Sequence, residues 1–205
     1  MHYVQTQAKK HEITITQAVC ERLQAYIELL GSWNKVHNLT AIKDTQQQID
    51  WLVMPSIRIS THTQKFTHLM DLGSGGGLPG VVLAIMHPTQ RWQLVEKSPK
   101  KCAFLRHVVH KLQLKNVTVH EGDFLQMPVD PTCEVIVTRG SCKLPVQIVW
   151  TKAWRESGCA LYSVQSEDSM AKFALQNTMQ VKNLGSVQQD NRLKLLIIPG
   201  GVDLE

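Results

Sequence analysis

Apolar residues recur three and four positions apart at Val19, Leu23, Tyr26, Ile27, Leu30 and Trp33. That spacing predicts one helix with a single buried face over about residues 16–33. Asp44 is placed to cap a second helical stretch, which Pro55 is expected to interrupt or end. From residue 68 the pattern changes to short apolar runs separated by amphipathic stretches. Strands are predicted at 69–72, 92–96, 117–120, 135–138 and 160–164. Between them, Pro79 at a first helical position opens a helix through 81–86. Ser98-Pro99 opens a second, whose buried face is Phe104, Leu105, Val108, Val109 and Leu112, and residues 144–154 form a third. Two further runs, 181–187 and 193–198, can pair at the sheet edge. Strands alternating with helices imply βαβ units, an α/β fold with a mostly parallel sheet and helices on both faces. The simplest partition is a helical N-terminal segment at 1–60 and an α/β core at 61–201. The last four residues, Val202-Asp203-Leu204-Glu205, read as a vector-derived tail, since Leu-Glu commonly precedes a purification tag.

Composition narrows the class. With 205 residues, 43% apolar and 19% charged, the chain is one compact domain and not a disordered one. A chain this long buries about 70% of its unfolded surface and needs no disulfide to hold a core. No apolar run approaches the roughly 18 residues of a membrane span, and residues 1–11 lack a secretory apolar region. The five cysteines (Cys20, Cys102, Cys133, Cys142, Cys159) are spread out and form no CxxC pair. A zinc site or disulfide framework is therefore not expected, and a reducing cytoplasm is. Cys102, Cys133 and Cys159 fall on or beside apolar elements and read as small core residues. His107 and His110 are spaced to share a metal on a helix, but no carboxylate or cysteine joins them, so a surface pair is expected and no metal. Lys and Arg outnumber Asp and Glu by 22 to 17, a balance compatible with a polyanionic partner without demanding one.

The chemistry concentrates in Asp71-Leu72-Gly73-Ser74-Gly75-Gly76-Gly77-Leu78-Pro79-Gly80, directly after the first predicted strand. Glycines there let the chain turn sharply and let a ligand approach backbone N–H groups. Gly75, Gly77 and Gly80 satisfy the dinucleotide pattern G-x-G-x-x-G, with Glu96 about 20 residues on for a ribose. Gly73, Gly75 and Gly77 equally form the G-x-G-x-G that follows an acidic residue at S-adenosylmethionine sites. Three features favour the second reading. Asp71 is placed for the cofactor's charged amino-acid end, Glu96 ends the second strand where a carboxylate can accept both ribose hydroxyls, and Asp123 with Phe124 ends the third, suited to an adenine amino group and ring face. A cofactor cationic at sulfur and lacking a pyrophosphate fits such an acidic rim.

Taken with Trp33-Asn34-Lys35-Val36-His37-Asn38-Leu39-Thr40-Ala41-Ile42, the block Glu96-Lys97-Ser98-Pro99-Lys100-Lys101-Cys102-Ala103-Phe104-Leu105, and Thr138-Arg139-Gly140, that loop resembles the glucose-inhibited division protein B family. These are guanine-N7 methyltransferases of bacterial small-subunit ribosomal RNA, and the resemblance covers essentially the whole chain. It implies a Rossmann-like class I methyltransferase fold, S-adenosylmethionine as cofactor, and ribosomal RNA or the small subunit as partner, with no membrane or DNA and a monomeric state. It implies further that Gly73, Gly75, Gly77 and Leu78 line the cofactor, flanked by Ser74 and Lys97, and that Arg139 sits at the boundary of cofactor and substrate. Asn38 and Lys35 would lie at the substrate-side mouth, making Arg139 and Asn38 the expected acceptor-placing residues.

The chain departs from the family on the substrate face. Where the family shows an Arg-His pair and then Asp-Ser, Trp51, Leu52, Pro55 and Ser56 stand here. Arg-x-Glu after the third strand is replaced by Asp123, Phe124 and Leu125, and Lys-Gly in the fifth by Val164 and Gln165. The cofactor loop is intact while substrate-facing polar groups have changed, so a relative acting on another RNA or a small molecule, or a non-catalytic ribosome-binding one, stays open. Trp51 could fill the volume of the missing arginine or stack on a base, with core filling favoured. Guanine N7 carries a free lone pair and needs no general base, so catalysis would be mostly alignment. The acceptor base must be unstacked to expose it. Lys97, Lys100, Lys101, Arg106, Lys111 and Lys115 could meet phosphates or simply be solvated.

Overall fold

The computed structural model describes residues 3–171, 178–188 and 191–201; the expected tail at 202–205 lies outside them. Two helices open the chain, α1 (Tyr3–Lys10) and α2 (Gln17–His37). Thr16 caps α2 by accepting the Val19 N–H at 3.3 Å. The predicted stripe Leu23, Tyr26, Ile27 and Leu30 is fully buried. The helix runs one turn further than its apolar spacing indicates and ends at Asn38, which takes a left-handed φ of 50°.

Asp44 caps α3 (Thr45–Gln48) as expected, accepting the Gln47 N–H at 2.8 Å. Pro55, by contrast, does not end the helical stretch. A π-helical turn over Ile49–Val53 leads into α4 (Met54–Thr63), with Pro55 in the first turn of α4. Proline has no N–H for the carbonyl four residues back and its ring crowds that carbonyl. The wider π turn absorbs the mismatch, and the Trp51 carbonyl is satisfied instead by Arg139 Nη2 at 2.6 Å.

The sheet consists of β1 (His68–Leu72), β2 (Arg91–Glu96), β3 (Val117–Glu121), β4 (Val135–Arg139), β5 (Ala160–Ser166), β6 (Gln180–Gln188) and β7 (Asn191–Ile198). Its order is β3-β2-β1-β4-β5-β7-β6, with β1 to β5 parallel and β7 antiparallel to both β5 and β6. The α/β expectation holds, including the two edge runs. Helices α5 (Gly80–Met86), α6 (Pro99–Lys111), α7 (Leu144–Trp150), α8 (Lys152–Glu156) and α9 (Glu167–Ala171) complete the described elements. The single helix expected at 144–154 is instead two, broken at Thr151, whose hydroxyl donates to the Gln147 carbonyl at 2.8 Å. A hydroxyl bonding back to the carbonyl four residues earlier bends a helix.

Side chains alternate across the sheet. Leu69, Trp92, Leu94, Val135 and Val137 pack under α2, α4, α5 and α6, while Met70, Leu72, Val95, Ile136 and Leu161 pack against Phe124, Leu144 and Trp154. The N-terminal helices share the first of these clusters with the sheet, and α4 runs across residues 60 and 61. Cys102, Cys133 and Cys159 are buried free thiols, as the apolar context indicates. Strand order reverses between β1 and β4, and a crevice opens there at the carboxyl ends of the strands.

The Trp33 to Ile42 motif has a structural account. Trp33 lies against Phe104 and His107, both at 5.4 Å between ring centroids, and ties α2 to α6. Buried Asn34 donates from Nδ2 to the Ile42 carbonyl at 3.1 Å and accepts the Thr40 N–H at 2.8 Å, folding the 38–44 loop back on its helix. Asn34→Ala removes both bonds and is expected to lower the unfolding free energy by about 1–3 kcal/mol. Exposed Lys35→Ala should change it by no more than about 0.5 kcal/mol. Urea denaturation followed by circular dichroism compares the two.

Candidate functional site

The turn after β1 is tied to β2 through its own backbone. The Gly73 and Ser74 N–H groups donate to the Val95 carbonyl at 2.9 and 3.1 Å. Gly75 N–H donates to Glu96 Oε2 at 2.9 Å, and Gly77 and Leu78 N–H both donate to the Ser74 carbonyl. Gly73 and Gly77 adopt φ of 74° and 89°, which L side chains rarely take. A Cβ at Gly73 would also lie 2.7 Å from Ser141 Cβ, and one at Gly77 would lie 2.6 Å from Val81. The Tyr26 hydroxyl reaches across from α2 and donates to the Gly76 carbonyl at 2.6 Å.

Asp71 lies beneath this turn. It is fully buried, accepts the Gly80 N–H on Oδ2 at 2.9 Å, and leaves Oδ1 without a partner among the described residues. Burial raises its pKa to about 7, opposed by the Gly80 hydrogen bond and reinforced by the nearby Glu96 charge.

Beside the turn is a cavity of about 270 Å³ lined by Gly73, Glu96, Lys97, Asp123, Phe124 and Ser141 among others. Buried Glu96 accepts Gly75 N–H on one oxygen and Ser98 N–H on the other, both at 2.9 Å. Asp123 is exposed and caps the short turn Phe124–Gln126 by accepting the Leu125 N–H at 3.0 Å. Phe124 is buried, with its ring stacked on Trp154 at 5.6 Å. Ser74 is buried too and donates to the Asp71 carbonyl at 2.9 Å, so it braces the turn from within.

A second cavity, about 810 Å³, adjoins the first at Gly140. Arg139 stands on its wall, with its guanidinium donating to the Trp51 and Leu52 carbonyls at 2.6 and 3.1 Å. Burial lowers its pKa to about 10, leaving it charged at neutral pH. The structure thus brings Gly73, Glu96, Lys97, Asp123 and Phe124 together and sets Arg139 next door. Asn38 lies elsewhere, exposed at the end of α2 in a separate cavity with Lys35 and Lys43. Sequence reasoning missed Lys101, Ser141 and Trp150 as cavity residues. Ser141 could have been found from its position just after Arg139-Gly140, at the point where strand order reverses. Trp150 was hidden in a helical period.

Asp71 gives this site a pH signature. Its folded pKa of about 7 exceeds the ordinary value near 3.9, so the folded state holds the proton more tightly. Unfolding then releases a proton between about pH 4 and pH 7, and stability falls as pH rises through that window. Asp71→Asn is expected to remove this fall. Its melting temperature relative to the parent should rise by several degrees between pH 5 and 7.5, and a constant difference in thermal scans would show that Asp71 stays ionised.

The sequence model of the GidB family, described as rRNA small subunit methyltransferase G, matches residues 19–193. The Ribosomal RNA small subunit methyltransferase G of Dichelobacter nodosus is 39% identical over 139 residues, which is 68% of this chain and 66% of that protein. Its namesake from Methylobacillus flagellatus is 29% identical over 198 residues, covering 96% of this chain and 91% of its own length. Among solved structures, TYW2 of M. jannaschii in complex with AdoMet superposes with a TM-score of 0.55 at 13% identity, covering 78% of each chain. A SAM dependent methyltransferase from Aquifex aeolicus gives 0.55 at 11% identity, covering 73% of this chain and 91% of that one. At such identities the likeness is one of fold, the Rossmann-like methyltransferase fold expected from the sequence. Residues 19–193 take in α2 from its third residue, the glycine turn, both cavities and the parallel strands, and the chain belongs to the GidB family.

Proposed function

We propose that the chain is an S-adenosylmethionine-dependent methyltransferase that methylates guanine N7 of small-subunit ribosomal RNA in the cytoplasm. The observation that carries the cofactor choice is how the glycine turn spends its N–H groups. A diphosphate at a glycine turn needs several of them free. Here Gly73, Ser74, Gly75, Gly77, Leu78 and Gly80 are all bonded within the protein. Carboxylates stand at the cavity instead, Glu96 and Asp123, with Asp71 buried below the turn and about half protonated at neutral pH. That is a setting for a sulfonium cation without phosphates.

Bound there, S-adenosylmethionine supplies an electrophilic methyl group on sulfur. Glu96 would hold the ribose, because each of its oxygens takes one backbone N–H and keeps a lone pair for a hydroxyl. Asp123 and Phe124 would take the adenine end, and the turn from Gly73 to Leu78 the amino-acid end. The acceptor base would enter the adjoining cavity, with Gly140 common to both. Guanine N7 would use its own lone pair, so no residue of the chain has to remove a proton. Arg139, on the cavity wall, would serve by position, tying that wall to the π turn through the Trp51 and Leu52 carbonyls. The remaining contribution is alignment of the two reacting atoms.

The relatives' name and the lysines support an RNA substrate. Lys97, Lys100, Lys111 and Lys115 are exposed after β2. Arg106 is already paired with Glu121 at 2.7 Å. Contacts of this kind predict RNA affinity that falls steeply with salt.

Small ribosomal subunits lacking the modification, incubated with the protein and labelled S-adenosylmethionine, should acquire label at one guanine N7. Glu96→Ala and Gly75→Val should weaken cofactor binding at least about tenfold in calorimetry. Arg139→Ala should bind cofactor normally and lose at least about tenfold in turnover. Cofactor binding without any labelled rRNA would move the acceptor to another RNA or a small molecule. Unchanged affinity in both cofactor variants would overturn the site.

A further inference from the structure

The larger cavity holds one polar group whose direction is fixed by its neighbours. Gln147 is fully buried, and its Nε2 donates to the Cys142 carbonyl at 2.8 Å. Only nitrogen can sit there, since an oxygen would face another acceptor. Gln147 Oε1 is therefore turned to the Ser163 hydroxyl, which must donate to it. With its single proton spent, Ser163 Oγ can only accept, and it accepts from Gln165 Nε2 at 2.7 Å. The same nitrogen lies 3.3 Å from Gln147 Oε1. A flipped Gln165 would press its oxygen against two acceptors. Gln165 lines the cavity, and among the described residues no hydrogen bond reaches its Oε1.

The other polar side chains on this wall are cations (Arg139, Lys143) or groups that both donate and accept (Cys142, Ser166, Ser169), and none of these is an acceptor held in one direction. Arg139 is engaged with the Trp51 and Leu52 carbonyls, and Ser166 Oγ accepts the Ser169 N–H at 3.2 Å. Lys143 is exposed. Leu144, Pro145, Val164 and Leu193 supply apolar surface against which a planar ring can lie.

We infer that Gln165 Oε1 is the specificity-determining acceptor for the methylated base, taking a hydrogen bond from the N1–H and N2–H₂ edge of guanine. Guanine presents donors on that edge, whereas adenine presents the N1 lone pair there, which the fixed carbonyl oxygen repels. N7 lies on the opposite side of the purine, so a guanine held by this edge leaves N7 free for the methyl group. A nearly buried acceptor that meets no donor is left unpaired, which is how such a site rejects the wrong base. The inference rests on the guanine reading proposed above and adds the group that selects the base.

The test uses full-length small-subunit rRNA transcripts carrying either guanine or adenine at the position the parent protein labels. Methyl transfer to the guanine transcript and competitive RNA binding to both are measured with S-adenosylmethionine or its demethylated product present. The parent should bind the guanine transcript about tenfold or more in preference to the adenine one. Gln165→Leu should bring that preference close to one and lower kcat/KM on guanine about tenfold, with cofactor affinity unchanged as the sign of an intact fold. Ser163→Ala removes the anchor that orients the amide and should relax the preference part of the way. If Gln165→Leu methylates more slowly while keeping the parent's guanine-over-adenine preference, Gln165 is only structural and the inference is overturned. If the parent labels no guanine, the functional reading falls first and this inference with it.

Discussion

Two hydrogen bonds to one carbonyl, that of Val95, set the position of everything around the crevice. Gly73 and Ser74 both donate to it, which bends the chain leaving β1 over the end of β2. That bend brings Gly75 N–H onto Glu96, the next residue of β2, and so ties the candidate ribose ligand to the turn it serves. It also swings Gly80 back over Asp71, where α5 starts with a buried carboxylate accepting its first N–H. The arrangement needs glycine at Gly73, because Ser141 after β4 occupies the space a side chain would require. At that one point the two strand ends flanking the reversal leave no space for a side chain at residue 73.

From that contact a one-way run of hydrogen bonds crosses to the second cavity. Thr138 donates to the Leu72 carbonyl at 2.9 Å, so the Ser141 hydroxyl beside it at 2.7 Å must donate to Thr138. Gln147 then contacts Ser141 and Cys142, and hands its carbonyl to Ser163 and Gln165. Each hydroxyl has one proton, so fixing the direction at one end fixes it at the other. Buried polar groups joined in this way hold a single arrangement, because breaking any link strands a polar atom in a low-dielectric interior. Turn and acceptor wall are in that sense one rigid piece, which suits a reaction that depends on alignment more than on proton transfer.

Much of the fold was legible because periodicity reports burial directly. The α2 stripe, the five parallel strands and the edge pair all follow from it, and the glycine turn is visible as composition. What could not be read depends on partners far away in sequence. Pro55 signals a break, and the helix survives because Arg139, more than eighty residues on, satisfies the carbonyl that proline leaves open. Thr151 breaks a regular apolar period with a hydroxyl, an effect on backbone that spacing does not encode. Spacing placed Asp71 beside the turn and could not say that its carboxylate would lie underneath, fully buried. Asn34 and Asn38 are four residues apart in one motif. One turns inward to pin a loop and the other ends the helix at the surface; the spacing would put both on one face, and they part because Asn38 leaves the helix with a left-handed φ of 50°.

The changes on the substrate face make sense as one coupled set. The resemblance puts Trp51, Leu52 and Pro55 where charged and polar residues are expected, and what Trp51 and Leu52 offer Arg139 is backbone. Arg139 turns that backbone to use, because Pro55 frees the Trp51 carbonyl and the guanidinium claims it together with that of Leu52. An arginine held this way keeps its charge buried yet bonded, and cannot also reach out to a substrate. Beside Arg139 on the next strand, Val164 and Gln165 stand where the resemblance leads one to expect lysine and glycine, and Gln165 is the group given a fixed direction by Ser163 and Gln147. On the reading proposed above, recognition in the cavity rests on an immobile neutral acceptor. A flexible cation attracts any phosphate within reach, whereas a locked carbonyl discriminates by the pattern of donors brought against it. A protein built this way should lean on its surface lysines for RNA affinity and on the cavity wall for the choice of base.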